Sequence, residues 1–282
     1  MRRLPAPVRL LRPQQWAKNL FVFAPLLFSA RFSETASITL SAIAFVVFCI
    51  CASTVYILND LLDEEADRAH PIKSTSRPIA SGQVGKKLAL QLLAVLSLVV
   101  TAAVIIWPTL LAPVVSYLTI NVLYNLGLRA LPVVDLCVIS LGFVSRVWAG
   151  AAIISVPLTS WIVIDTFFLA LYLASMKRRN EVRLALTSSR KSIHGYSPKL
   201  VDAIALIAAL GALVGYAFFA IQVRQELAFT IPLVALGIWR FKVLSDSLKD
   251  AESPTEALVR DWPMLAISAV WGIACWFVLS RN

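Results

Sequence analysis

The segment Asn59-Asp60-Leu61-Leu62-Asp63-Glu64-Glu65-Ala66-Asp67-Arg68-Ala69-His70-Pro71-Ile72-Lys73, followed closely by Arg77-Pro78, sets a block of carboxylates directly against a block of bases. If one α-helix runs through it, the turn of ~100° per residue puts Asp60, Asp63 and Asp67 on a single narrow face, flanked by Asn59 and Glu64. Carboxylates at i,i+3 and i,i+4 repel one another, and the C-terminal end of a helix disfavours anions. Such a stripe calls for a cation. Oxygen-only ligands suit a hard ion such as Mg2+, which takes one or two carboxylates and keeps waters and substrate phosphates in its remaining positions. Asp60, Asp63 and Asp67 are therefore the catalytic candidates and, together with Asn59, the metal-ligand candidates. The plain alternative is a solvated acidic cap on a membrane helix. The agreement of stripe, helix end and adjoining bases favours the metal-phosphate site.

Further polar residues cluster on the side of the acidic block. Arg12, Lys18 and Asn19 precede or open the first apolar run, where Lys18 alone would simply snorkel to headgroups. Tyr124 and Arg129 close the fourth and Asp135 opens the fifth. Arg146 falls near the middle of the fifth, where a cation is expensive and faces a cavity, a partner or a ligand. A structural pair within the bundle and a ligand contact suit it equally. Lys177-Arg178-Arg179-Asn180-Glu181 leaves the sixth run. Bases there ordinarily report topology, yet arginine also grips oxyanions bidentately. His70 either aids phosphate binding or caps, and Asp165 is expected toward the opposite face, outside the site. Cys49, Cys51, Cys137 and Cys275 lie in apolar runs without CxxC spacing, as structural thiols do. The chain carries no Walker loop, no GxGxxG and no Gly-x-Ser-x-Gly elbow.

The elements that must hold these residues are membrane helices. Of 282 residues, 59% are hydrophobic and only 15% charged, with mean hydropathy +0.78. A soluble fold of this size cannot hide that much apolar surface, so the composition predicts an all-α, polytopic membrane bundle. Apolar windows near 17–33, 36–58, 88–107, 109–126, 133–154, 160–177, 200–221, 226–244 and 262–280 predict nine transmembrane helices. A turn at Trp107-Pro108 separates the third from the fourth. With the N-terminus cytoplasmic, 22 of the 26 Lys and Arg fall on one side, which orients the acidic block to the cytoplasm. One integral membrane domain, 1–282, with a cytoplasmic N-terminal tail, 1–15, accounts for the whole. The first apolar run lacks a small-residue cleavage signature, so secretory processing is not expected. The +10 net charge reads as topology plus anion binding rather than nucleic-acid binding, because the bases are spread over short loops without interleaved aromatics.

The set Asn59-Asp60-x-x-Asp63-x-x-x-Asp67 after the second span, with Tyr124, Arg129 and Asp135 between the fourth and fifth, resembles the UbiA superfamily of intramembrane prenyltransferases. Arg12-Pro13-Gln14-Gln15-Trp16-Ala17-Lys18-Asn19, the Asn59–Gly82 block, Tyr124–Gly150 with Ser145-Arg146, Lys177-Arg178 and Glu181, and Pro254, Glu256, Arg260 and Asp261 look closest to its decaprenyl-phosphate phosphoribosyltransferase branch. That resemblance implies a UbiA-like fold and Mg2+ on Asn59, Asp60, Asp63 and Asp67. It also implies transfer of 5-phosphoribose from phosphoribosyl diphosphate to a polyprenyl phosphate, with release of pyrophosphate. Lys18, Lys73 and Arg77 are then candidates for the donor phosphates, and Arg146, Lys177 and Arg178 for the acceptor phosphate. Asn19, Asn59, His70, Tyr124, Arg129, Asp135 and Glu181 complete the substrate-binding candidates. Typical superfamily members carry a second Asp-rich motif after the sixth span, where this chain has Lys177-Arg178-Arg179. The bases after His70-Pro71 read Lys73-Ser74-Thr75-Ser76-Arg77, one residue longer than is usual in the branch. The resemblance implies a multi-pass protein of the bacterial plasma membrane serving cell-wall biogenesis, and is compatible with a homo-oligomer. Transfer of a prenyl group from its diphosphate to an aromatic or other acceptor is the alternative within the superfamily. A non-enzymatic lipid or ion transporter is the alternative outside it, and the crowding of charge at one face disfavours it.

Overall fold

The computed structural model describes residues 4–71, 73–187, 195–247 and 260–281, within which every regular element is helical. The long helices are α1 (Thr35–Leu62), α2 (Lys86–Ile106), α3 (Leu111–Leu126), α4 (Val134–Ile153), α5 (Ser160–Thr187), α6 (Pro198–Val223), α7 (Ile231–Ser247) and α8 (Trp262–Ser280). Counted with the 3-10 turns that lead into α3 and α7, all 8 are long and apolar enough to cross a membrane. A helix satisfies its own backbone hydrogen bonds, as a lipid-facing span must. The expected break at Trp107-Pro108 is a 3-10 turn, Pro108–Leu110.

The first expected span is built differently. It is a 3-10 helix, Pro13–Phe23, continued by one α-helical turn, Ala24–Phe28. At ~2 Å per 3-10 residue and ~1.5 Å per α residue the pair reaches roughly 30 Å, the thickness of a hydrocarbon core. Among the described residues, eight α-helical spans and one thinner, mostly 3-10 segment thus account for the nine expected spans. The thin segment packs against α4 at Gly150, where a Cβ would stand only 1.9 Å from the Val22 carbonyl oxygen. Only glycine permits that approach. Asn19 and Val22 are fully buried there.

The second departure lies in the acidic block. Helix α1 does not run through it but stops at Leu62, with Asp63 at φ −93°, ψ 7°, and short helices Glu64–Ala69 and Lys73–Ser76 follow. The single-face stripe is therefore interrupted at Asp63. Four like charges on one helical face repel, and the break lets each carboxylate turn to a base of its own.

α4 is the central helix: 67% of its apolar window is buried, against 17% for α2 and 11% for α8, which face lipid. α6 meets its neighbour through small residues, Ala208 and Ala212, that let helix backbones come close. Because the spans alternate in direction, the ends of α1, α3, α5 and α7 and the starts of α2, α4, α6 and α8 gather at one end of the bundle. The site is there.

Candidate active site

The acidic block folds into a set of carboxylate-base pairs. Asp60, 2% exposed, accepts hydrogen bonds on Oδ1 from both Arg12 and Arg77, while its Oδ2 is buried without a partner. Asp67, equally buried, pairs with Lys73 Nζ at 2.8 Å. Asp63 is more open and receives Arg129 bidentately at 2.9 and 3.1 Å. Those bonds raise the Arg129 pKa further and hold it charged. Glu64, expected as a mere flank, is buried and joins Arg68 and Lys86 at 2.7 Å each. Its ion pair with Lys86 ties the block to the start of α2. His70 Nδ1 accepts from the Lys73 backbone N–H at 3.4 Å, which turns the chain back toward Asp67.

Beside this cluster opens a cavity of about 370 Å³ between α1, α3, α4 and α5. Lys18, Asn59, Tyr124, Arg146, Lys177, Arg178 and Glu181 line it, over apolar walls that include Ile139, Phe143 and Leu173. Of the remaining candidates, Asn19 and Asp135 reach the lining by bonding Arg146 and Arg178, whereas Asp60, Asp63, Asp67, His70, Lys73, Arg77 and Arg129 belong to the acid-base cluster and do not line the cavity. Asn59 belongs to both parts: it lines the cavity and precedes Asp60, and its Oδ1 accepts from Asn125 Nδ2 at 2.7 Å. Asp135, buried at the start of α4, binds Arg178 Nη2 at 2.5 Å from behind, and Glu181 binds Nη1 at 2.5 Å.

Arg146 closes the floor. Its Nε donates to Asn19 Oδ1 at 2.7 Å, Nη1 to the Gly142 carbonyl at 2.6 Å and Nη2 to the Tyr117 hydroxyl at 3.3 Å. Its guanidinium lies 4.7 Å from the Tyr117 ring centroid and 5.2 Å from that of Phe143. These partners are neutral. Among the described residues no carboxylate pairs with Arg146, so a buried positive charge faces the cavity uncancelled. Asp165, left out of the site on sequence grounds, lines a separate apolar cavity of about 220 Å³ with Phe28, Tyr216 and Trp271.

Arg12 and Asn125 stand in stretches that the sequence marks without giving them a role, and Asn121 carries no such mark. Arg12, which also lies 4.6 Å over the Tyr56 ring, completes the Asp60 pair from the N-terminal segment. On α3, Asn121 Nδ2 donates to the Tyr117 backbone carbonyl at 2.8 Å and Asn125 Nδ2 to the Asn121 backbone carbonyl at 2.7 Å. Their i,i+4 spacing inside an apolar span was the available signal. Of the stretches carrying the resemblance, Ile72, Pro254 and Glu256 lie outside the described residues.

A divalent cation was the sequence expectation. Among the described residues no three of His, Cys, Asp and Glu converge as a ready-made metal cage. The donor chemistry nevertheless fits a hard dication that is completed by a substrate. Asp60 Oδ2 is an anionic oxygen held in a buried place with nothing to bond. Asp67 lies near enough for its charge to act on Asp60, Asn59 directly precedes Asp60 in the chain, and Mg2+ needs only one or two protein carboxylates. Asp63 is engaged by Arg129 but keeps lone pairs through which it could also reach an ion.

Fold and site together define a multi-span helical membrane protein with a cavity at one end, lined in part by Lys18, Arg146, Lys177, Arg178 and Glu181. The chain belongs to the UbiA prenyltransferase family, whose profile matches residues 20–258. It is 35% identical over 223 residues to the decaprenyl-phosphate phosphoribosyltransferase of Mycolicibacterium smegmatis, covering 76% of this chain and 69% of that protein. To the enzyme of the same name from Mycobacterium tuberculosis it is 31% identical over 277 residues, covering 94% of this chain and 91% of that protein. Its fold matches a UbiA homolog from Archaeoglobus fulgidus, solved bound to DMAPP and Mg2+, with TM-score 0.75 at 18% identity, over 98% of this chain and 100% of that one.

Proposed function

We propose that this protein transfers 5-phosphoribose from phosphoribosyl diphosphate to the phosphate of a polyprenyl lipid of decaprenyl type, releasing pyrophosphate. The observation that carries the reading is the two-sided cavity. Asn59, beside the acidic block, borders one wall, while Lys177 and Arg178 stand where typical superfamily members place a second acidic motif. The second wall is thus suited to hold an anion directly rather than through a metal. The names of the relatives at 31–35% identity support the same assignment.

Asn59, Asp60, Asp63 and Asp67 would hold the Mg2+. When bound, such an ion acts as a Lewis acid that steadies the charge of the departing pyrophosphate. The chain supplies the rest. Lys73 and Arg77, already beside Asp67 and Asp60, and Lys18 at the cavity wall orient the donor phosphates. Asn59, fixed by Asn125, keeps the donor against the cavity rim. As the bond to the sugar C1 loosens, the ribose takes on oxocarbenium character, as in other glycosyl transfers. Lys177, Arg178 and the unneutralised Arg146 draw the acceptor phosphate to that carbon. The acceptor oxygen is already anionic and needs no general base. The apolar walls around Phe143 and Leu173 exclude water, the competing nucleophile. The reaction runs at the cytoplasmic face of the bacterial plasma membrane, where a phosphorylated sugar donor is available.

Purified protein given labelled phosphoribosyl diphosphate, Mg2+ and decaprenyl phosphate is expected to yield a chloroform-extractable labelled lipid. Label that enters lipid only from a prenyl diphosphate with an aromatic acceptor would replace this reading with prenyl transfer.

A further inference from the structure

Arg178 does not reach the cavity unaided. Its Nη1 and Nη2 are committed to Glu181 and Asp135, and its buried Nε has no partner, so its direction depends on those two carboxylates. Asp135 is itself held by a third group. The hydroxyl of Tyr196 donates to Asp135 Oδ1 while Arg178 Nη2 occupies Oδ2, so both oxygens are engaged and the plane of the carboxylate is set. The Tyr196 oxygen in turn accepts the backbone N–H of Val133 at 2.7 Å. Burial and the hydrogen bond to Asp135 raise the Tyr196 pKa, so the phenol keeps the proton it donates. Its ring also lies 5.4 Å from the Arg178 guanidinium.

The surrounding backbone is shaped for this contact. Val133, just before α4, has φ +70°, a conformation that β-branched residues rarely adopt, and its N–H meets the phenol. Gly195 has φ +104°, and a Cβ there would stand 2.5 Å from Pro132 Cγ. The segment before α6 is therefore pressed onto the segment before α4, with Tyr196 as the link.

We propose that Tyr196 is a positioning residue for acceptor recognition: through Asp135 it aims Arg178 at the phosphate of the polyprenyl substrate. The inference rests on the reading that Arg178 receives that phosphate, and deepens it. Tyr196 does not line the cavity, so its effect must pass through Arg178.

The test is a double-mutant cycle on the full-length protein in detergent, with farnesyl phosphate as probe and calorimetric Kd as readout, alongside the KM values for both substrates. Tyr196→Phe keeps the ring and removes the hydroxyl with its bonds to Asp135 and to the Val133 N–H, so Kd is expected to weaken about 3–10-fold with the KM for the sugar donor unchanged. Asp135→Asn breaks the same link from the other side and is expected to weaken Kd in the same direction. In an Arg178→Ala background, Tyr196→Phe is expected to have no further effect. An unchanged Kd in Tyr196→Phe, an equal loss with and without Arg178, or a parallel rise in donor KM would overturn the inference, as would a wild-type protein that does not bind the probe. Arg178-dependent probe binding without phosphoribosyl transfer would remove the proposed reaction and leave the role of Tyr196 standing.

Discussion

The uncancelled charge of Arg146 invites a paired substitution that separates scaffold from substrate. Arg146→Gln removes the charge and most of the fork, whereas Arg146→Lys keeps the charge and loses the fork. The guanidinium makes three hydrogen bonds to neutral partners. Each variant forfeits about two of them, at roughly 0.6–1.7 kcal/mol apiece inside a membrane bundle. Both are therefore expected to unfold at lower temperature, by a loss of about 1–3 kcal/mol. Affinity is expected to divide them. A phosphate about 6 Å from a unit charge gains roughly 3 kcal/mol at an effective dielectric of about 20, or about a hundredfold in binding. Arg146→Gln should accordingly raise the KM for polyprenyl phosphate about a hundredfold, while Arg146→Lys stays within several-fold of wild type. Thermal melting in detergent and steady-state kinetics with each substrate varied in turn provide both readouts. An Arg146→Gln protein with the wild-type KM for both substrates would show that the charge attracts no anion and that the residue only braces Asn19 against α4.

Asp60 and Asp63 occupy different surroundings, so their amides should fail differently. Asp60→Asn is expected to cut kcat by about 10²–10⁴-fold and to loosen the fold, because Arg12 and Arg77 lose a shared buried partner; Asp63→Asn is expected to cost less than about 1 kcal/mol, since its pair with Arg129 is partly solvated. Equal melting losses in the two variants would contradict this. Mg2+ with pyrophosphate should raise the melting temperature of wild-type protein and leave that of Asp60→Asn unmoved, since a ligand stabilises only the state that binds it; equal shifts would remove Asp60 from the metal site. At the start of α8, Asp261 accepts from Met264 N–H at 2.8 Å and from Arg240 at 2.5 and 3.0 Å. Arg240 holds the Asp261 pKa below the usual carboxylate range, so its stabilisation is complete above the unfolded carboxylate pKa and lost only as pH falls through the depressed value. The melting gap between wild type and Asp261→Asn should therefore be constant from pH 8 to about pH 5, and a gap that closes near neutrality would refute the pairing.

What could be read from sequence follows the range over which each interaction acts. The spans were legible because an apolar run long enough to cross a bilayer has few other uses, and the gathering of Asn59, Asp60, Lys177 and Arg178 at one end followed from alternation of helix direction alone. The winding of the first span was hidden because hydropathy reports length and not winding: Pro13 opens the 3-10 piece and Pro25 lies in the first turn of the short α-helix, neither with an N–H to give, and the segment packs on Gly150 of a distant helix. The break at Asp63 was hidden for a related reason. Helical periodicity assumes a continuous axis, whereas the chain gains more by letting Asp63 reach Arg129 than by keeping four like charges in register. Glu64 with Lys86, Arg12 with Asp60, and Tyr196 with Asp135 are likewise pairings whose partners come from separate elements. In each of them an acid readable as a local motif meets a group supplied by the fold. Apart from Arg146, charges expected to bind an ion and two anions, among them Asp60, Asp63, Asp67, Lys73, Arg77 and Arg178, are therefore already engaged in internal pairs, and substrate entry must exchange these pairs for new ones. That exchange predicts competition: raising ionic strength should weaken the pairs exposed at the rim, such as Asp63 with Arg129, sooner than the buried contacts of Asp60.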